Sequence, residues 1–263
     1  MRKKTGKKNI LTPKHQRMIL IAVTVMMCLL VLVSAFLIFR SFLKVKDFML
    51  SGVSQYDTAT IAGYSGIKKG DRIYSIDLKK AEKGILDSCP YVESIEIEIR
   101  FPNTVIFRVS ERTPMWYVDI AGDYYALDYE LVVIEETVSN EKFTHGGVTE
   151  LKLPKVSKAI SGQTLEFAND DKEEEKIKQF LAEIRSEALR ERMTSINVES
   201  RFNVTVIVDG KFEIYMGDTS NTASKIAAFR ELLQNGKLDE FESAEIDVSN
   251  PETISIRPTY KTE

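Results

Sequence analysis

The most pronounced hydrophobic pattern in the chain is a run without charged side chains that extends from Met18 to Phe39. As an α-helix with a rise of about 1.5 Å per residue, this run is about 33 Å long, enough to cross the hydrocarbon core of a bilayer. The residues before it carry no acid, and their basic side chains are Arg2, Lys3, Lys4, Lys7, Lys8, Lys14 and Arg17. Because Lys and Arg accumulate on the cytoplasmic side of a span, the pattern predicts a cytoplasmic N-terminus and an exported remainder.

A cleaved secretory signal is the alternative interpretation of this run, since Val33-Ser34-Ala35 resembles a signal peptidase site. The apolar stretch is longer than the roughly 7–15 residues of a signal core, and it continues to Phe39 without a helix breaker. The sequence therefore favours an uncleaved single-pass anchor of type II topology over residues 18–39, preceded by a cytoplasmic tail of residues 1–17.

Residues 46–112 show the pattern of a small α+β module in the order strand, helix, helix, strand, strand. Asp57 and Asp77 stand at positions typical of helix N-caps. Alternation of apolar with polar residues over 92–100 and 104–110 predicts two strands that each have one buried face. We therefore expect two helices packed on a three-stranded sheet.

The remainder of the exported chain predicts a second, strand-rich unit with two helices. Its predicted strands cover residues 116–120, 124–126, 131–134, 196–198, 204–208, 212–216, 244–248 and 253–257. Amphipathic helices are predicted within 170–192 and over 220–235, whereas the polar residues 137–150 are predicted to form a loop. The fold class expected for the whole chain is α+β.

Charge and cysteine content narrow the function classes. The basic tail leaves 29 basic and 39 acidic residues in the remainder, a formal charge of −10. Such an acidic exported part argues against nucleic acid as a partner and against adhesion to anionic lipid or wall polymers as the main task. Cys28 lies in the predicted span and Cys89 is the single exported cysteine, so no internal disulfide is expected and Cys89 is predicted to be a small buried hydrophobe.

Seven short motifs occur together in the exported part. They are Cys89-Pro90-Tyr91-Val92, Phe101-Pro102-Asn103-Thr104, Glu111-Arg112-Thr113-Pro114, Leu127-Asp128-Tyr129-Glu130-Leu131-Val132, Leu153-Pro154, Met216-Gly217 with Lys225 downstream, and Ile246-Asp247-Val248. In their order and spacing they resemble the FtsQ/DivIB family of bacterial cell division proteins, over roughly residues 40–258. Within the fourth motif, residues 127–132, the resemblance assigns Glu130 to the position where the family has glycine in a strand turn.

The resemblance implies a membrane anchor followed by a POTRA module, residues 46–114, and a β module, residues 115–260. It also implies a non-enzymatic divisome scaffold that links bitopic proteins of the FtsL and FtsB/DivIC type and helps to control septal peptidoglycan synthesis. The septal peptidoglycan synthase complex is a further candidate partner. The location implied is the cell membrane, enriched at the division septum, and no cofactor is expected.

The same resemblance places the binding of the FtsB-type partner on the last strand, by strand addition. In this chain that strand maps onto Thr253, Ile254, Ser255, Ile256 and Arg257. A final strand is often a sheet edge, which exposes unpaired N–H and C=O groups, so main-chain pairing with a partner is physically reasonable. Thr253, Ser255 and Arg257 should share one face, and Ser255→Pro is expected to remove an edge donor. The alternative is that the strand merely ends the sheet.

Catalytic chemistry has little support in this sequence. The single exported histidine, His145, has no neighbouring nucleophile turn, and Glu96 and Glu98 are expected to be solvated on one strand face. No His/Cys pair has metal-ligand spacing, so no catalytic, cofactor or metal residue is predicted. A peptidoglycan-acting enzyme and a POTRA-containing envelope assembly or secretion factor remain the alternative functions.

Overall fold

The structure is a computed structural model that describes residues 13–52, 55–168, 171–185 and 189–260. It contains an N-terminal helix and two modules with separate hydrophobic cores. The α+β fold, with a three-stranded module followed by a strand-rich one, agrees with the prediction.

Helix α1 (Pro13–Phe42) carries the long apolar run. Its stretch Arg17–Ile38 has a mean hydropathy of 2.9 and none of it is buried. Within the described residues, α1 is the one helix that is long and apolar enough to cross a membrane. The predicted span is shifted by one residue relative to this stretch, because Met18 lies just inside its first end and Phe39 lies just beyond its second end.

The POTRA module has two helices on a three-stranded sheet, as predicted. Its elements are β1 (Asp47–Ser51), α2 (Thr58–Ser65), α3 (Leu78–Ser88), β2 (Val92–Arg100) and β3 (Thr104–Glu111). The sheet order is β1-β3-β2, with β1 parallel and β2 antiparallel to β3. Both expected N-caps are present, since Asp57 accepts from the N–H of Thr60 at 2.7 Å and Asp77 from that of Lys80 at 3.1 Å.

The POTRA core lies between the helices and the sheet. Ile61, Ile85 and Phe107 are completely buried there. Cys89 is also completely buried, and burial raises the pKa of its thiol. The prediction that Cys89 is a small buried hydrophobe is therefore confirmed.

The β module is built on one nine-stranded sheet. Its strands are β4 (Trp116–Ile120), β5 (Asp123–Leu127), β6 (Val133–Thr137), β7 (Thr149–Lys152), β10 (Met193–Asn197), β11 (Val204–Val208), β12 (Phe212–Gly217), β13 (Phe241–Asp247) and β14 (Ser255–Tyr260). A separate pair is formed by β8 (Val156–Lys158) and β9 (Glu166–Phe167). The order in the large sheet is β14-β13-β12-β11-β10-β7-β4-β5-β6, so β14 and β6 are its two edges.

The two faces of this sheet differ in what covers them. Helices α5 (Asp171–Arg185) and α6 (Thr222–Gln234) pack on one face and form the main core with residues such as Phe180 and Phe229. Helix α4 (Glu141–His145) covers the other face only near β4 to β6, where the rings of Phe143 and Tyr117 stack at 5.6 Å. The face of β11 to β14 opposite the main core carries mainly polar side chains and is open.

The predicted loop over residues 137–150 is wrong, because this segment contains α4 and the first residues of β7. Strand β7 lies between β4 and β10 in the sheet, but Leu151 is its single apolar side chain. Four residues are too few to show a period of two, so the sequence pattern gave no strand signal here.

Several other predicted boundaries shift, among them those of the strands predicted over 131–134, 196–198 and 244–248, which are β6, β10 and β13. The helix predicted within 170–192 ends at Arg185, and Arg190–Arg192 form a separate 3₁₀ turn. Asp170, like residues 186–188, lies outside the described residues. The last strand begins at Ser255 rather than at Thr253 and continues to Tyr260.

The assignment of the turn glycine to Glu130 is wrong. The residue with a left-handed backbone in this turn is Leu131, at φ 62°, and its side chain is 1% exposed in the main core. A non-glycine residue in this region is strained, and burial of the leucine side chain provides the compensating stabilisation. Leu131 therefore stands where the motif has glycine.

Candidate partner-binding edge

The final strand is an edge of the large sheet. Strand β14 pairs with β13 on one side, and no other strand among the described residues pairs with its outer side. Of the five residues predicted for partner binding, Ser255, Ile256 and Arg257 lie in β14. The N–H of Thr253 donates to the C=O of Asn250 at 3.0 Å, which places it in the preceding turn, and Ile254 connects this turn to the strand.

The hydrogen bonds of β13 determine which way the main-chain groups of β14 point. The N–H of Ala244 donates to the C=O of Lys211 at 3.2 Å, and the N–H of Val248 donates to the C=O of Tyr215 at 2.9 Å. Main-chain groups alternate sides along a strand. The even-numbered residues of β13 therefore face β12, and its odd-numbered residues face β14.

The outward-facing groups of β14 follow from this register. Ser255 is opposite Asp247 and Arg257 is opposite Glu245, so the main-chain groups of Ser255 and Arg257 point into the sheet. Ile256 consequently presents its N–H and C=O to the outer side. The expectation that Ser255→Pro removes an edge donor needs correction, because that donor belongs to the ladder with β13.

Proline is present at one of these outward positions. Pro258 is opposite Ala244 and shares the outward orientation of Ile256. Because proline has no N–H, it is tolerated in an edge strand where its nitrogen faces away from the ladder. At these two residues, the outer side of β14 therefore presents two acceptors, the C=O groups of Ile256 and Pro258, and one donor, the N–H of Ile256.

The side chains of residues 253–257 divide between two faces, as the alternation predicts. Ile254 and Ile256 are partly buried and pack against the main core. Thr253, Ser255 and Arg257 are exposed, and the guanidinium of Arg257 donates to the carboxylate of Glu245 at 3.2 Å. The strand thus contributes to the core with one face while its outer main chain stays accessible.

A hollow of about 380 Å³ lies on the open face beside this edge. Its lining includes Glu213, Tyr215, Glu245, Asp247 and Arg257. Three carboxylates against one guanidinium give this surface a negative charge. A strand added at β14 would place its own side chains next to this hollow, where basic residues would be favoured.

The residues predicted to set the membrane topology are only partly described. Arg2, Lys3, Lys4, Lys7 and Lys8 lie outside the described residues, and Lys14 lies in α1 with an undescribed side chain. Arg17 is exposed at the start of the apolar stretch.

The contacts between the two modules were not predicted at residue level. Arg112, at the end of the POTRA module, pairs with the carboxylate of Asp128, whose side chain is 1% exposed. The hydroxyl of Tyr91 donates to Glu135, and that of Tyr129 donates to Glu93 at 3.0 Å. Tyrosine side chains from both modules therefore take part in the junction.

The side chains considered for catalysis are dispersed. His145 is exposed at the end of α4, whereas Glu96 and Glu98 both pair with Arg108 on the solvated face of the POTRA sheet. Across the four described segments, no group of three or more His, Cys, Asp or Glu side chains could hold a metal ion.

Comparisons with known proteins agree with the architecture. Residues 43–112 match the family described as "POTRA domain, FtsQ-type", and residues 116–249 match "Cell division protein FtsQ/DivIB, C-terminal". A curated relative, the cell division protein FtsQ of Corynebacterium glutamicum, is 21% identical over 92% of this chain and 100% of its own length. The cell division protein DivIB of Clostridium botulinum is 20% identical over 79% of each chain.

A solved structure is also similar to part of the chain. The major extracytoplasmic domain of the cell division protein DivIB from Geobacillus stearothermophilus aligns with 49% of this chain and 96% of that domain, at 17% identity and a TM-score of 0.30.

Proposed function

Because the chain belongs to the FtsQ/DivIB family of cell division proteins, we propose that it is a non-enzymatic, membrane-anchored scaffold of the divisome. In this proposal α1 crosses the membrane once, with the basic N-terminal tail in the cytoplasm and both modules outside. The scaffold links bitopic division proteins of the FtsL and FtsB/DivIC type and thereby helps to control septal peptidoglycan synthesis.

The open edge of β14 is the observation that supports this proposal most directly. An edge strand whose outer N–H and C=O groups face solvent can accept a strand from a partner, and the main-chain bonds supply affinity while side-chain pockets supply specificity. The adjacent acidic hollow favours a partner segment with basic side chains on that face. A scaffold needs such a surface and does not need a catalytic pocket.

The role of the edge can be tested with a proline at an outward position. Ile256→Pro removes the outward N–H and puts the proline ring where the partner's acceptor would lie. Ile256→Ala is the matched control, because it removes the same core contact but keeps the N–H. We expect Ile256→Pro to weaken binding of the exported segment of the FtsB/DivIC-type protein by at least about tenfold relative to Ile256→Ala, which corresponds to about 1.4 kcal/mol.

The experiment is a titration of the full-length proteins in nanodiscs against that exported segment. Pro258 already occupies an outward position in β14, so a second proline at residue 256 is compatible with the strand. Equal affinities of the two variants, with both still folded by circular dichroism, would contradict strand addition at this edge.

The divisome role itself is tested by location. A fluorescently tagged full-length copy should form a band at midcell before constriction in dividing cells of its own species. Uniform signal around the envelope would argue for a general envelope role instead. Purified protein should also show no turnover of peptidoglycan, and measurable turnover would contradict a purely scaffolding function.

A further inference from the structure

The exported end of α1 is joined to the POTRA module without a flexible linker. Helix α1 ends at Phe42, and the C=O of the next residue, Leu43, already accepts from the N–H of Ile73 at 3.2 Å. The N–H of Val45 donates to the C=O of Asp71 at 2.9 Å, and the N–H of Gly70 donates to the C=O of Val45 at 2.8 Å. The loop around Gly70 is therefore held at the end of the helix.

A second loop lies at the same end of the module. The C=O of Asn103 accepts from the N–H of Lys46 at 2.8 Å, which fixes the turn between β2 and β3 beside the start of β1. Strands β1 and β3 are parallel, so both lead away from this end. We call residues 40–47, 68–74 and 100–103 the membrane-proximal surface.

The charge of this surface is opposite to that of the exported part as a whole. It has seven basic side chains, which are Arg40, Lys44, Lys46, Lys68, Lys69, Arg72 and Arg100, and two acidic ones, Asp47 and Asp71. One of the acids is engaged locally, since the carboxylate of Asp71 accepts from the N–H of Lys68 at 2.8 Å. The formal charge of −10 after the tail therefore conceals a local concentration of positive charge.

Two exposed aromatic side chains accompany these basic residues. Phe101 is 71% exposed at the turn, and Tyr74 is 57% exposed beside the helix end. The hydroxyl of Tyr74 accepts from Nε of Arg40 at 3.2 Å, which connects the loop to the last turns of α1. Aromatic rings next to Lys and Arg at the end of a span are typical of the headgroup region of a bilayer.

We propose that the membrane-proximal surface lies on the anionic phospholipid headgroups of the membrane that anchors the chain, and so fixes the orientation of the POTRA module. The inference rests on the anchoring of α1 proposed above. From Ile38 to Phe42 the helix advances about 6 Å, which is within a Debye length of about 8 Å at physiological salt. Basic side chains at this height are attracted to anionic headgroups.

The orientation has a consequence for the rest of the molecule. Strand β3 has eight residues and spans about 26 Å, and its far end leads into the β module. A POTRA module held on the bilayer would therefore keep the β module, with its open edge β14, at a defined height above the membrane.

A tryptophan probe tests this contact in the full-length protein. The single native tryptophan, Trp116, is completely buried in the β module and provides a constant background. Phe101→Trp adds an exposed indole at the turn. We expect its emission to be quenched in vesicles of brominated phosphatidylcholine mixed with an equal amount of phosphatidylglycerol, and this quenching to be lost in vesicles of brominated phosphatidylcholine alone and at high salt.

Charge variants in the Phe101→Trp background separate a specific surface from general attraction. Lys68→Gln, Lys69→Gln and Arg72→Gln together should abolish the phosphatidylglycerol-dependent quenching. The matched control combines Lys155→Gln, Lys211→Gln and Lys237→Gln, which removes the same charge from exposed sites on the β module and should leave the quenching unchanged.

Two results would overturn the inference. Equal quenching in the two triple variants, or quenching that does not depend on phosphatidylglycerol, would show that the surface does not bind anionic headgroups. An alkaline carbonate wash tests the anchor separately. Release of the protein by this wash would overturn both the anchor and the inference, whereas retention with equal quenching would overturn the inference alone.

Discussion

The two edges of the nine-stranded sheet, β6 and β14, differ in how their outer main-chain groups are satisfied. At β6, the N–H of Val133 donates to the C=O of Gln163 at 2.9 Å, and its C=O accepts from the N–H of Gly162 at 2.7 Å. The N–H of Leu165 also donates to the C=O of Leu131 at 2.9 Å. No described segment makes the corresponding bonds to the outer side of β14.

The β6 edge is further occupied by contacts to the POTRA module. Glu135 in β6 accepts from Nζ of Lys142 at 2.8 Å and from the hydroxyl of Tyr91. Burial alone would raise the pKa of Glu135, but these two hydrogen bonds and the charge of Lys142 together outweigh it and lower the pKa. Burial and the hydrogen bond to Glu135 both raise the pKa of Tyr91, so the phenol stays protonated. The covered edge thus joins the modules, whereas no described segment covers the outer side of β14.

The largest loss of stability should follow from substitution of Asp128, whose carboxylate holds the turn that leads into β6. Its Oδ1 accepts from the N–H groups of Glu130 and Val132, each at 2.8 Å, and its other oxygen pairs with Arg112. Asp128→Ala leaves these donors without their acceptor and leaves a largely buried guanidinium unpaired. We expect the free energy of unfolding to fall by about 3–5 kcal/mol, measured by guanidinium unfolding of the full-length protein in micelles with Trp116 fluorescence.

Asp128→Asn is the control for this prediction. The amide oxygen can still accept from the two N–H groups, but the charge that pairs with Arg112 is lost, so an intermediate loss of stability is expected. A change below about 1 kcal/mol for Asp128→Ala would show that the covered edge does not depend on this turn.

A smaller effect on stability, which depends on pH, should arise from the ion pair between Asp218 and Lys225. Nζ of Lys225, 3% exposed, donates to the Asp218 carboxylate at 2.8 Å and to the Asp218 C=O at 2.9 Å. The hydrogen bonds from Lys225 and Ser220 lower the pKa of Asp218 to about 2. Because this pKa is below the unfolded value of about 3.9, the stabilisation is complete above about pH 4 and is lost as the pH falls towards 2.

The measurement is the unfolding free energy between about pH 5 and pH 2. The carboxylate of Asp218 is half exposed, so its contribution should be about 1 kcal/mol, and Asp218→Asn should remove that part of the pH dependence. Glu242→Gln, at an exposed position of β13, serves as the control. Identical pH profiles for the native protein and Asp218→Asn would show that this pair does not contribute.

Side-chain periodicity explains what was predictable from the sequence. Strand β2 alternates Ile95, Ile97 and Ile99 with charged residues over a nine-residue strand, which is long enough for the period of two to be clear. The N-caps at Asp57 and Asp77 were predictable because the cap is a local interaction. Strand β7 was not predictable in this way, because its position depends on parallel pairing with distant strands.

The candidate edge shows a second limit. Alternation indicates which face of β14 is buried, but both main-chain groups lie in the plane of the sheet, so side-chain pattern does not reveal which N–H groups point outward. That information came from the register with β13 and from the bonds of Ala244 and Val248 to the strand beyond. Pro258 was the one sequence signal available, because proline in a strand indicates an edge position with an outward nitrogen.

The smallest expected effect comes from Pro258 in the open edge β14, because its replacement should change partner binding by only a small amount. Pro258→Ala adds an outward N–H to β14, and one additional hydrogen bond is worth about 0.5–1.5 kcal/mol, so the exported segment of the FtsB/DivIC-type partner should bind about 2- to 10-fold more tightly. Without the partner, the longer row of donors should increase self-association in sedimentation velocity, because proline protects edges from pairing with one another. Pro251→Ala, in the turn before β14, removes a proline without adding a donor to the edge and should change neither property. If Pro258→Ala and Pro251→Ala bind the segment equally, the outer main chain of β14 does not pair with this partner, and binding must use the side chains of the open face instead.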